Sequence, residues 1–184
     1  MLRHLPNFLT IVRMILVVPF VIVLYNGQYL GALLLLFIAG ITDGLDGFLA
    51  RQFGWYSWFG SVADPIADKL LLVASYVVLG ILGHIPVELT YLVVGRDVFI
   101  FTGALLYWFF IGHFEGRPTL LGKMCTFMMI VQGLLVLTSL ALFDVPKALL
   151  DAGNLMVAVL CVLSGVQYMY LGITELKAAN AKPR

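Results

Sequence analysis

The stretch that decides the fold runs from Asp43 to Asp68 and reads DGLDGFLAR at 43–51 and GSVADPIAD at 60–68. It places four aspartates in a chain whose residues are 62% hydrophobic and 11% charged. A carboxylate at the centre of a membrane helix costs roughly 2.5–3.5 kcal/mol on insertion scales. Four of them need a compensating partner, and the one we favour is a divalent cation that holds a phosphorylated substrate.

The composition of the 184-residue chain predicts an integral membrane protein with one domain over 1–184. Its mean hydropathy is +1.04, and its charged share is far below the roughly 25% of a soluble domain. A formal net charge of +1 gives no reason to expect nucleic-acid binding.

Cys125 and Cys161 lie in apolar runs, which predicts small buried side chains and no disulfide framework. We expect no cleaved signal peptide, because Arg13 lies inside the first apolar run.

Six apolar segments are each long enough to cross a bilayer, which takes about 20 residues. Glycine, proline and charged residues separate these segments, as expected at helix ends. We therefore predict an all-α integral membrane protein with six transmembrane helices. The predicted spans are about 8–25, 29–50, 60–82, 88–112, 119–143 and 149–174.

Lysine and arginine are unevenly distributed between the two sides of this bundle, which predicts its orientation. With six spans, both termini share a side with the second and fourth loops. That side carries most of the basic residues of the chain: Arg3, Arg51, Arg117, Lys123, Lys177, Lys182 and Arg184. The opposite loops carry only Lys147. Both termini and the aspartates are therefore expected on the cytoplasmic side.

Spacing brings the aspartates onto two helix faces. Asp43 and Asp46 are three residues apart, and Asp64 and Asp68 are four apart, so each pair shares one face of its helix. All four carboxylates converge if the loop at 51–59 folds the third helix beside the second. Oxygen-only ligands suit Mg²⁺, Mn²⁺ or Ca²⁺. Four carboxylates can hold one or two such ions and still supply a base.

Two other interpretations compete with a catalytic one. A single intramembrane aspartate is about as readily a packing hydrogen bond or an ion relay as a catalytic group. A transporter typically has inverted repeats or paired broken helices, and the sequence has neither. A structural scaffold would not need four aspartates at these spacings followed by Arg51, whose guanidinium can bind a phosphate.

The pattern D-x2-D-G-x2-A-R-x8-G-x3-D-x3-D resembles the signature of the CDP-alcohol phosphotransferase family. All eight positions of the pattern are present: Asp43, Asp46, Gly47, Ala50, Arg51, Gly60, Asp64 and Asp68. The resemblance implies that a hydroxyl attacks the lipid-bearing phosphorus of a CDP-linked lipid such as CDP-diacylglycerol and that CMP leaves. It also implies a homodimer, and it makes a bacterial inner membrane the expected location.

The same resemblance implies roles for the motif residues. The four aspartates bind Mg²⁺ or Mn²⁺, and Asp68 is also the general base. The remaining positions belong to the CDP-binding side: Gly47, Ala50, Arg51 and Gly60. Spacing alone does not say which aspartate is the base.

Residues outside the motif bear on the acceptor. The opening Pro6–Arg13 resembles the P-N-x-L-T-x-x-R start of phosphatidylglycerophosphate synthases and CDP-dependent cardiolipin synthases. Asn7, Thr10 and Arg13 share one helix face there, either as acceptor contacts or as a helix cap with a snorkelling arginine.

Two further basic residues each have two alternative interpretations. Arg96 is followed by Asp97, so it is either half of a structural ion pair or a contact to the acceptor's phosphate. Lys123 is either a positive-inside anchor or a second phosphate contact.

A departure from the branch patterns favours one acceptor. The phosphatidylglycerophosphate synthases show Arg-Glu in the fourth span and a further arginine one or two turns later. This chain has Arg96-Asp97 and no second arginine. A dianionic phosphomonoester such as glycerol 3-phosphate would need that extra charge. We therefore favour the monoanionic phosphatidylglycerol as acceptor, with glycerol 3-phosphate as the alternative.

Overall fold

A computed structural model describes the backbone of residues 5–53, 58–110 and 119–181. Side-chain surroundings are described for 11–42, 44, 52, 69–106, 109 and 119–174. The described chain consists of six helices and contains no strand, which confirms the all-α prediction. The helices are α1 Leu5–Tyr25, α2 Tyr29–Phe53, α3 Trp58–Ile81, α4 Val87–Phe110, α5 Leu120–Ala141 and α6 Lys147–Ala181.

The turn after α1 is closed by glycine in a left-handed conformation. Gly27 has φ 73°, a region that side chains with a Cβ rarely adopt. The Gln28 amide donates to the Val23 carbonyl at 3.0 Å, and the Gly27 amide donates to the Leu24 carbonyl at 3.1 Å. This pair of bonds is a Schellman cap, which satisfies carbonyls that the helix end leaves open.

The turn after α3 repeats the same cap. Gly83 has φ 74°, and the His84 amide donates to the Leu79 carbonyl at 2.9 Å. A hydrogen bond of 2.8 Å joins the Tyr29 hydroxyl to His84 Nε2, and the two rings meet edge to face at 5.3 Å. The start of α2 is thereby tied to the end of α3.

The chain divides into two compact units. The first comprises Met1–His84 and Gly133–Pro146, and the second comprises Ile85–Gln132 and Lys147–Arg184. In the first unit α1 packs against both α2 and α3. The approach to α2 is close, because a Cβ on Gly31 would lie 2.9 Å from Val23 Cγ1. Helix α1 thus contacts both helices that carry the motif aspartates.

In the second unit α6 is the common partner of α4 and α5. Helix α4 packs against α6. From α5, the buried Gln132 amide nitrogen donates to the Leu150 carbonyl and to Asn154 Oδ1, each at 2.9 Å. One turn of α6 thus satisfies the donors of an amide inside an apolar helix, where an unpaired polar group is costly.

The two cysteines also lie at the contact of α5 with α6. Cys125 and Cys161 are free and buried, as predicted. Their Sγ atoms are 3.4 Å apart, although 36 positions separate them in sequence. Sequence reasoning did not foresee that they are neighbours.

Three helices of the described chain are long and apolar enough to cross a membrane. They contain Val87–Leu106, Leu120–Ala141 and Lys147–Thr174, and shorter apolar stretches occupy Ile11–Tyr25, Tyr29–Thr42 and Lys69–Ile81. Large apolar side chains are exposed on every helix, for example Phe37, Phe101 and Phe127 at 60%, 62% and 63%. Apolar exposure of this extent fits contact with lipid. The protein is therefore a multi-pass membrane protein, while the count of six spans stays a prediction.

Candidate active site

The motif aspartates are distributed over two helices, as the sequence predicts. Asp43 and Asp46 lie in α2, and Asp64 and Asp68 lie in α3. Helical backbone through both segments places the members of each pair on one face. Their side chains lie outside the described residues. The same holds for the candidate CDP-binding positions Gly47, Ala50, Arg51 and Gly60.

Helix α1 brings the N-terminal candidates to these two helices. Asn7 and Thr10 lie in α1, but their side chains are outside the described part of the chain. Arg13, one turn later, is 1% exposed and is among the largest fully buried side chains of the protein. A snorkelling arginine would place its charged end in water. The burial of Arg13 therefore favours a role inside the first unit over that of a surface anchor.

Arg96 has several described partners among its neighbours. Its side chain is 5% exposed and forms an ion pair with Asp97 through Nη1. Its Nε donates to Ser164 Oγ at 3.1 Å, and Cζ lies 6.0 Å from the centre of the Tyr168 ring. An intramembrane arginine is tolerated when it is paired in this way. The structural ion pair considered from the sequence is thus present, and no described residue accepts a hydrogen bond from Nη2.

The first turn of α5 meets the same tyrosine. Thr119 caps the helix, since its Oγ1 accepts the Gly122 amide at 3.0 Å. The Thr119 amide donates to the Tyr168 hydroxyl at 3.4 Å. A Cβ on Gly122 would lie 2.9 Å from that hydroxyl oxygen. Lys123 follows in this turn with an exposed side chain, which agrees with either of its two interpretations.

Sequence reasoning missed Ser164 and Tyr168. They are four residues apart on α6 and therefore share one face. Both lie within the apolar run 149–174, whose hydropathy predicts only a membrane span. The polar i, i+4 pair was the available signal, because a polar stripe on a membrane helix usually faces protein.

The described side chains contain no group of three or more His, Cys, Asp or Glu placed to hold a metal. The aspartates of α2 and α3 lie outside the described side chains. Their fit to a metal is therefore judged from the chemical type of their donor atoms. Carboxylate oxygens without sulfur or imidazole fit a hard cation such as Mg²⁺ or Mn²⁺. The residues present in the motif are thus suited to such an ion.

Comparison with protein families gives a match over most of the chain. The model described as CDP-alcohol phosphatidyltransferase matches residues 3–170. The matched region includes all eight motif positions, the Asn7–Arg13 segment, Arg96 and Lys123.

Curated relatives named for two kinds of reaction are similar to the chain. A Homo sapiens cardiolipin synthase (CMP-forming) is 40% identical over 96 residues, which is 52% of this chain and 32% of the relative. A Schizosaccharomyces pombe cardiolipin synthase (CMP-forming)/mitochondrial hydrolase fusion protein is 40% identical over 97 residues, 52% of this chain and 16% of the relative. A Haemophilus influenzae CDP-diacylglycerol–glycerol-3-phosphate 3-phosphatidyltransferase is 44% identical over 79 residues, 41% of this chain and 43% of the relative. The chain thus spans less than half the length of each.

Proposed function

The chain belongs to the CDP-alcohol phosphatidyltransferase family, and on that basis we propose that it transfers a phosphatidyl group from CDP-diacylglycerol to a hydroxyl of a glycerol-containing acceptor. The bond between the lipid-bearing phosphorus and the CMP oxygen breaks, and a bond to the acceptor oxygen forms. The observation that carries this proposal is the family match over residues 3–170, which encloses the intact eight-position motif.

The aspartates of α2 and α3 supply the chemistry in this proposal. Asp43, Asp46, Asp64 and Asp68 would hold one or two Mg²⁺ or Mn²⁺ ions, which would neutralise the charge of the donor's pyrophosphate. Asp68 takes the proton from the attacking hydroxyl. The CDP moiety is bound by the small residues and the arginine of the motif: Gly47, Ala50, Arg51 and Gly60. Without a side-chain methylene, a glycine leaves room for a ligand to approach the backbone.

The acceptor we propose is phosphatidylglycerol, which makes the product cardiolipin. Arg96 is the candidate contact for the acceptor's phosphate, with Lys123, Arg13, Asn7 and Thr10 as further candidates. Asp97 already neutralises part of the Arg96 charge, and the fourth helix has no second arginine. This reduced positive charge suits a monoanionic diester better than a dianionic monoester. Glycerol 3-phosphate is the second candidate, because relatives named for that acceptor are equally similar.

The membrane arrangement follows from the charge distribution. We propose six spans, with both termini and the aspartates on the cytoplasmic side of a bacterial inner membrane, and a homodimer as the assembly. The basic residues gathered on one side support the orientation. In this arrangement, lipid substrates reach the aspartates from the cytoplasmic leaflet of the membrane.

One assay tests the function and the acceptor together. Purified protein in phospholipid vesicles with CDP-diacylglycerol and Mg²⁺ or Mn²⁺ is given phosphatidylglycerol or glycerol 3-phosphate, and CMP release is measured. We expect CMP with phosphatidylglycerol, less with glycerol 3-phosphate, and none after chelation of the metal. Faster release with glycerol 3-phosphate would reverse the choice of acceptor, and the absence of CMP with any alcohol would contradict the enzyme assignment.

A further inference from the structure

One face of α6 contacts two of the helix segments that carry basic candidates for acceptor binding, the Arg96 region of α4 and the start of α5. Ser164 and Tyr168, four residues apart, meet Arg96 of α4, and Tyr168 also meets the first turn of α5. These contacts all lie within the second unit. One face of α6 thus contacts, and helps to position, both the Arg96 side chain and the first turn of α5.

Ser164 fixes the direction of the Arg96 side chain. Its hydroxyl is fully buried and donates to the Cys161 carbonyl at 3.2 Å. The hydroxyl proton is therefore committed, and the oxygen accepts from Arg96 Nε at 3.1 Å. With Nε held by Ser164 and Nη1 held by Asp97, the plane of the guanidinium is set. Nη2 is the nitrogen that is left to bind an oxyanion.

Tyr168 supports both basic segments at once. Its ring lies 6.0 Å from Arg96 Cζ, within the range of a cation–π contact. Its hydroxyl accepts the Thr119 amide at 3.4 Å, which anchors the start of α5. A Cβ at residue 122 would lie 2.9 Å from that hydroxyl oxygen, so glycine allows this close contact and a larger residue would make the tyrosine shift. Lys123 is the next residue, so the contact also fixes the backbone from which it extends.

We propose that Ser164 and Tyr168 are positioning residues for acceptor binding. They hold Arg96 and the first turn of α5 so that the Arg96 guanidinium, with Lys123, binds the phosphate of the acceptor. This inference rests on the proposed function, and it extends that function to two residues that touch no substrate themselves. A purely structural pair would instead affect folding and both substrates alike.

The test compares the two Michaelis constants of single variants. Ser164→Ala removes the acceptor of the Arg96 Nε hydrogen bond, and hydrogen bonds to charged groups are strong enough to predict an increase of about tenfold in KM for the acceptor. Tyr168→Phe keeps the ring and loses the Thr119 contact, so a smaller increase of about threefold is expected. The KM for CDP-diacylglycerol should stay within about twofold of that of the wild type. Ser164→Thr, which keeps a hydroxyl, should restore most of the acceptor KM.

Ser75→Ala is the matched control. Ser75 is equally buried and forms the same local hydroxyl–carbonyl bond, to Leu72 at 2.7 Å, and it has no part in the proposed site. It should leave both KM values unchanged. Calorimetric binding of short-chain phosphatidylglycerol and of glycerol 3-phosphate measures acceptor affinity even in a variant that turns over too slowly to assay.

The outcomes separate the inference from the function. A selective loss of affinity for either acceptor in Ser164→Ala, restored in Ser164→Thr, supports the inference and identifies the phosphate that is bound. An active wild type whose variants lose both substrates equally, or only thermal stability, overturns the inference and leaves the function intact. A wild type that releases no CMP overturns the function, and the inference with it.

Discussion

Two kinds of charged residue in this protein call for different kinds of compensation. Arg96 is buried with its own counter-charge, a serine hydroxyl and an aromatic ring. The four motif aspartates share two helices with no basic residue between the members of each pair. Carboxylates at such spacing repel each other unless a cation is bound. The arginine is thus stabilised by the fold itself, whereas the aspartates would be compensated by the metal ions proposed above.

The assignment of Asp68 as the base gives the first prediction. Asp68→Asn removes the proton acceptor and keeps the size of the side chain. Loss of a general base lowers turnover by about 10²–10⁴-fold, and we expect CMP release to fall by at least about 100-fold. Binding of CDP-diacylglycerol, measured by calorimetry, should largely survive, because three aspartates remain. Asp144→Asn, at an exposed position after α5, is the control that should retain full activity. Normal turnover by Asp68→Asn would move the base to another residue.

The motif residues could be predicted from sequence because chemistry fixes their type and helical periodicity fixes their spacing. Ser164 could not be predicted in the same way. Its partner Arg96 is 68 positions away. A serine in a membrane helix by itself does not indicate which neighbour its hydroxyl contacts. Which helix face meets which neighbour depends on three-dimensional packing. One sequence does not encode that choice in a local pattern.

Among the helices, the contact of α5 with α6 depends on one glycine. A Cβ on Gly153 would lie 1.8 Å from Gln132 Oε1 and 2.6 Å from its Cδ. The Gln132 side chain is buried and held by two hydrogen bonds to α6, so it has little freedom to move aside. Gly153 therefore provides the space for the amide.

We expect Gly153→Ala to destabilise the protein. The added methyl group forces Gln132 out of its hydrogen bonds, and overpacking of this kind costs about 1–3 kcal/mol. The gain in helix propensity, about 1 kcal/mol, does not offset that cost. The measurement is the thermal unfolding midpoint in detergent, which should fall. Gly165→Ala on the same helix meets no atom within 4 Å and should leave the midpoint unchanged or raise it. A common shift in both variants would show that Gln132 is not the cause.

Helix boundaries were predictable where a chemical break exists. The segments predicted at 29–50 and 119–143 correspond to Tyr29–Phe53 and Leu120–Ala141. Helix α6 instead continues to Ala181, seven residues beyond the predicted end at 174. Hydropathy falls there because Glu175 and Lys177 appear. Both residues, and the alanines around them, favour helix, so the helix outlasts the apolar segment.

For the whole molecule, the unequal distribution of basic residues predicts an orientation that can be measured. A green fluorescent protein fused after Arg184 should fluoresce, because that fold matures in the cytoplasm. Alkaline phosphatase fused after Phe143, in the connection that leads to Lys147 at the start of α6, should be active, because it requires export. The reverse pattern would place the aspartates on the outer side and exclude cytoplasmic donor binding. The basis of the prediction is the positive-inside rule.

The contact between Cys125 and Cys161 allows separation of α5 from α6 to be detected by thiol labelling. The protein has two thiols, and both are buried at 0% and 1% exposure. A membrane-permeant maleimide can therefore label only molecules in which α5 has separated from α6. The labelling rate then reports the free energy of this local opening, as hydrogen exchange does for amides. Substrate binding that tightens the second unit would slow the labelling, so affinity can be followed without any turnover.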